Sequence, residues 1–115
     1  MLAFHSSLKV FLASEPVDMR KSFGGLYSIV LNQLKEEPTS GAFFVFINKN
    51  LNRLKILYFD GSGLWVFAKR LEQGRFSWPK GSNSDGKINL TPEALHLLVS
   101  GIDMKQGCKK AWYER

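Results

Sequence analysis

The sequence predicts an α+β fold: a single domain whose mainly antiparallel meander sheet of four to six strands is packed by two helices, in the order β-α-β-β-β-(β)-α. Three observations predict it. From Arg53 to Pro79 the chain is rich in aromatic and branched residues and is cut by two turn-forming segments, Asp60-Gly61-Ser62-Gly63 and Gln73-Gly74. That is the pattern of three consecutive strands. Ala42 to Ile47 is a continuous apolar run bounded by turn residues, as in a strand covered on both faces. Stretches after Asp18 and after Thr91 repeat apolar residues at the three- and four-residue spacing of helices.

In chain order, Leu8 to Ala13 reads as the first strand, and Pro16 turns the chain out of it. Asp18 is placed to cap a helix beginning near Met19. The apolar stripe of that helix is Phe23, Leu26, Val30 and Leu34, flanked by Tyr27 and Leu31. Gly24-Gly25 weakens its first turn by about 1 kcal/mol per glycine, which marks either close backbone approach to the sheet or a helix start delayed to about Ser22. Pro38 to Gly41 is the exit loop, the apolar run is the next strand, and Asn48 to Asn52 turns into the meander.

Turns centred on Gly61-Ser62 and Gln73-Gly74 fix a register. Phe59 faces Leu64, Leu57 faces Val66, Lys55 faces Ala68 and Arg53 faces Arg70; then Leu71 faces Phe76 and Lys69 faces Trp78. Side chains alternate faces along a strand, so Leu54, Ile56, Tyr58, Trp65, Phe67, Leu71, Phe76 and Trp78 share a core face, with Lys69 near its edge. The opposite face gathers Arg53, Lys55, Arg70 and Arg75, with Leu57, Phe59, Leu64 and Val66 nearer the first turn. Like charges directly opposite each other repel, so Arg53 beside Arg70 calls for open solvent or an anion.

Pro79 closes the meander, because proline cannot donate to a ladder. Lys80 to Lys87 is a polar loop and Ile88-Asn89-Leu90 an optional edge strand. Thr91-Pro92-Glu93 starts the second helix: a threonine cap, a proline in the first turn and an acid beside it. Leu95, Leu98 and Val99 form its buried stripe and Gly101 ends it. Residues 1–104 are read as the domain and 105–115 as a basic, loosely ordered tail.

Composition narrows the function. At 115 residues, with 44% hydrophobic and 13% aromatic content, the chain has one core. A formal charge of +6 and a pI near 9.6 favour polyanionic partners. One cysteine, Cys108, excludes an intrachain disulfide and a cysteine metal cluster and suits a reducing cytosol. No apolar run approaches the ~20 residues of a membrane span, and the first residues lack the layout of a secretory signal. The reading is a cytoplasmic protein without a membrane partner.

Catalytic chemistry is thin. His5 and His96 stand in no metal-ligand spacing, and Cys108 has no histidine base near it in sequence, although Lys109 and Lys110 would lower its pKa. Asp18, Asp60 and Asp103 would make an acidic triad for phosphoryl transfer only by converging, and each has a simpler local role as cap or turn residue. Neither glycine cluster is followed by the lysine-serine or lysine-threonine pair of a phosphate loop. The reading is no enzyme, no cofactor and no metal.

Several blocks carry a family likeness: Val17-Asp18-Met19-Arg20-Lys21-Ser22-Phe23; Arg53-Leu54-Lys55-Ile56-Leu57 with Asp60 and Gly63; Lys69-Arg70-Leu71-Glu72-Gln73-Gly74-Arg75-Phe76-Ser77-Trp78-Pro79; Leu90-Thr91-Pro92 with Gly101-Ile102-Asp103. Together they resemble the TnpB-type accessory protein, the second open reading frame, of the insertion-sequence-sixty-six family of bacterial transposons. The resemblance implies a small protein encoded beside a separate DDE-type transposase and needed for efficient transposition. It carries over no catalytic or ligand residues. Charge and likeness together point to a non-enzymatic accessory factor. It would touch the DNA of transposon ends, or the DNA–transposase complex, through Arg20, Lys21, Arg53, Lys55, Arg70 and Arg75. The alternative is an adaptor that docks the transposase or a second copy of itself through Leu57, Phe59, Leu64 and Val66, without touching DNA.

Overall fold

The computed structural model describes residues 8–80, 86–103 and 108–109. β1 (Val10–Ala13) and β2 (Phe43–Ile47) are parallel neighbours, linked by α1 (Phe23–Ile29) and its π-helical continuation Val30–Leu34. β3 (Arg53–Phe59) and β4 (Leu64–Arg70) add an antiparallel hairpin on one side. β5 (Lys87–Leu90) pairs antiparallel with β1 on the other, giving the order β4-β3-β2-β1-β5. α2 (Pro92–Val99) follows, and β6 (Ile102–Asp103) pairs with β7 (Cys108–Lys109) in a separate small ladder. The expected α+β class is the one found: a mostly antiparallel five-stranded sheet with two helices.

The helices lie on opposite faces. Leu26, Ile29, Val30 and Leu34 pack on Phe11, Phe44, Phe46 and Leu57. Leu95 and Leu98 pack on the other face, among Leu12, Phe43, Val45, Ile47 and Ile56. Central β2 is covered on both sides, which is why its five residues are all apolar and all buried. Parallel β1 and β2 need a crossover, and the crossover lays α1 on the sheet. This corrects one expectation: Leu57, read as part of an exposed apolar patch, is fully buried, and Leu64 and Val66 pack against the α1 layer.

The register of β3 with β4 is the one predicted, from Phe59 opposite Leu64 to Arg53 opposite Arg70. The expected third strand does not form. Leu71 N donates to Asn52 O at 2.8 Å and Phe76 N to Leu51 O at 2.7 Å, so the chain crosses the β2–β3 turn instead of pairing back on β4. Gly74, at φ +78°, permits the reversal. Phe76 thereby sinks into the core beneath α2, 2% exposed, and the Trp78 indole donates to Ala13 O at 3.2 Å. The pairings of Leu71 with Phe76 and Lys69 with Trp78 are absent, and β4 is left as a sheet edge.

Two further corrections concern the first helix and the aromatic face. α1 starts at Phe23 with Ser22 at its N-cap, the delayed start, because Asp18 is engaged by Arg20. Phe23 consequently stands outside the core, 49% exposed, rather than on the buried stripe. Trp65, placed by alternation on the core face, is also 49% exposed. The α2 start is as expected: Thr91 Oγ1 accepts from Ala94 N at 3.1 Å. Of the tail from 105 on, only Cys108 and Lys109 are described; the rest, like His5, lies outside the described residues.

Candidate nucleic-acid interface

The β3–β4 hairpin brings cations together at the end away from its Asp60 turn. Arg53, Lys55, Lys69 and Arg70, with Met19, Leu54, Ala68 and Glu72, line an open groove of about 560 Å³. Ladder register does the placing. Arg53 is directly opposite Arg70, and Lys55 directly opposite the small Ala68, which leaves room above it. Arg53, Lys55 and Arg70 thus leave one face of the hairpin beside one carboxylate, Glu72, while Lys69, the alternate residue of β4, lines the groove at the strand edge and sends its ammonium to the α2 face.

Each cation is held differently. Arg70 bonds Glu72 Oε2 through Nη2 at 3.1 Å and Nε at 3.3 Å, but both side chains are mostly exposed, so this pair is weak and easily exchanged. The Arg53 guanidinium has no hydrogen-bond or ion-pair partner among the described residues. Lys55 Nζ donates to Lys21 O at 2.8 Å, tying the segment before α1 to the sheet and bringing Lys21 beside the groove. Lys69 Nζ donates to Val99 O at 2.7 Å, at the end of α2.

The other two predicted residues stand apart from this set. Arg20 bonds both oxygens of Asp18, with Nη2 to Oδ2 at 2.8 Å. These bonds hold the Asp18 carboxyl down at about 2. Arg20 is fully exposed but partly neutralised by that partner. Arg75 is exposed on the segment after Leu71 and does not line the groove. Sequence reasoning missed Lys69 and Met19 as groove residues. The charge of Lys69 was legible beside Arg70, but alternation assigned it to the core face under an expected third strand; Met19 enters only through the crossover.

Asp60 is a turn anchor. Oδ1 accepts from Ser62 N, Ser62 Oγ and Gly63 N, at 2.8, 2.9 and 2.9 Å, and Oδ2 from the Trp65 indole at 2.7 Å. Those donors, the indole foremost, push its carboxyl far below the usual range. Among the described residues no group of three His, Cys, Asp or Glu side chains could hold a metal ion, and no helix is long and apolar enough to cross a membrane.

Residues 8–109 match the family described as IS66 Orf2-like protein. Two relatives come from Sinorhizobium fredii (strain NBRC 101917 / NGR234). The uncharacterized protein y4jC is 38% identical over 103 residues, 90% of this chain and 86% of its own length. The uncharacterized protein y4hO is 39% identical over 105 residues, 91% of this chain and 90% of its own. No solved structure matches the chain. With the match running over nearly its whole length, the chain belongs to the IS66 Orf2-like family, the accessory proteins of IS66 transposition.

Proposed function

We propose that the protein assists transposition by contacting DNA phosphates, in free transposon ends or in the DNA–transposase complex, through the basic groove of the β3–β4 hairpin and without chemistry of its own. The observation that carries this is the facing pair Arg53 and Arg70, with Lys55 beside them on the same face and one exposed carboxylate, Glu72, paired to Arg70. Like charges placed together on a rigid ladder are destabilising unless an anion neutralises them. Phosphates do so and release counterions, giving affinity with little sequence readout. Lys21 and Arg20 extend the positive rim along the segment before α1. Arg75 adds to the long-range field from outside the groove. The adaptor alternative loses support, because α1 covers most of the apolar patch it used.

Fluorescence anisotropy with a labelled duplex, titrated from about 50 to 200 mM salt, tests the proposal. Wild type should lose affinity steeply, and Arg70→Ala should lower the log–log slope by about one. Absence of salt-sensitive binding at low ionic strength rejects it.

A further inference from the structure

Trp65 belongs to neither core layer, yet its ring is fixed. Its Nε1 donates to Asp60 Oδ2 at 2.7 Å. The indole lies parallel to Phe67, with centroids 5.8 Å apart and planes 4° apart. Phe67 is 6.5 Å from the buried Phe43 ring, which in turn meets Tyr58 edge-on at 4.7 Å. The exposed indole is therefore the outer end of a line of aromatic rings rooted in the core. Asp60 is close by, but its two oxygens are committed to four donors of the turn and the indole.

This ring sits on β4, a sheet edge. Lys69 follows Trp65 and Phe67 on the same face, since alternate residues share a face. Its ammonium spends one of three donors on Val99 O. Arg70 and its opposite neighbour Arg53 leave the other face of the same hairpin end. The distance along the strand from Trp65 to Arg70 is about 16 Å, enough for a few nucleotides. A duplex keeps its bases stacked inside and has no free face for the indole. An unpaired base has one, and a rigid aromatic ring on a strand that carries cations further along is an arrangement that holds single strands. Because the ring is already immobilised, stacking costs little side-chain entropy.

We propose that the β4 edge binds single-stranded DNA, with an unpaired base stacked on Trp65 and the backbone running past Lys69 to Arg70 and Arg53. This rests on the reading that the basic groove contacts phosphate, and adds which form of DNA it holds.

The test uses the full chain, a labelled oligothymidylate and a duplex of equal length at one salt concentration. Wild type should bind the single strand more tightly than the duplex. Trp65→Ala should weaken single-strand binding about tenfold or more, and Trp65→Phe less, with duplex affinity unchanged. Arg53→Ala/Arg70→Ala should weaken both. Photocrosslinking of a 5-bromodeoxyuridine oligonucleotide to the wild-type chain should map to Trp65, a readout independent of how the variants fold. Duplex preference, an unchanged Trp65→Ala, crosslinks confined elsewhere, or self-association through β4 that the oligonucleotide does not compete would each overturn the inference. Salt-dependent duplex binding surviving those outcomes leaves the groove reading intact; loss of binding to both DNAs removes the two together.

Discussion

Asp60 shows how much one exposed acid does for a hairpin. Its carboxylate closes the turn by accepting from Ser62 and Gly63 and orients Trp65, all in the ionised form. A folded-state pKa below the unfolded one means that its stabilisation is complete above the unfolded value, about 3.9. It is lost as pH falls toward the folded value. Asp18, at about 2 through its bonds to Arg20, behaves in the same direction. Carboxyl NMR titration should find both groups ionised well below pH 4. Denaturation at falling pH should show Asp60→Ala flattening part of the acid loss. Ordinary titration of Asp60 would contradict this geometry. Lys87 makes a comparable link in a drier place: its Nζ donates to Leu34 O and Glu36 and lies 5.5 Å from the Phe11 ring centroid. Lys87→Met should cost about 1–3 kcal/mol in urea unfolding, because a partly buried carboxylate and a helix-end carbonyl lose their donor. A change within ±0.5 kcal/mol would show the link to be idle.

Among the elements, α2 is the one whose start is written most openly in the sequence. Thr91 caps it and Pro92 opens it, so Thr91→Ala should destabilise by about 1 kcal/mol and Thr91→Ser by little. The β3–β4 hairpin was equally legible, since Asp60 to Gly63 fixes the turn and a fixed turn fixes every pair behind it. The Gln73-Gly74 reversal was not. Glycine at φ +78° marks a turn but not its direction, and here burial of Phe76 and two backbone bonds to the Leu51–Asn52 turn win over continued pairing with β4. Likewise Asp18 has a capping residue's chemistry, but Arg20 two positions later offers a charged partner and takes it.

Across the whole molecule, what the sequence concealed was which parts of each sheet face the two helices cover. Alternation along β3 and β4 sorts side chains to two faces correctly, but cannot say that α1 buries Leu57 while the far end of that face stays open at Arg53 and Lys55. For the same reason Trp65 looked like core: it faces the α2 side, but beyond α2's reach. The basic groove was legible because charge and register both lie in local sequence; its walls depend on the crossover. One comparison tests the groove against mere net charge. Arg53→Ala/Arg70→Ala and Lys9→Ala/Lys35→Asn each remove two positive charges, the second pair from exposed positions outside the groove: Lys9 beside the start of β2, and Lys35 after Leu34, next to Lys87 on the β5 edge, the edge opposite β4. Asparagine is chosen because Lys35 has φ +58°. In salt titrations of DNA binding, the first pair should lower the log–log slope by about two while the second leaves it near wild type. Equal loss from both pairs would contradict the groove reading.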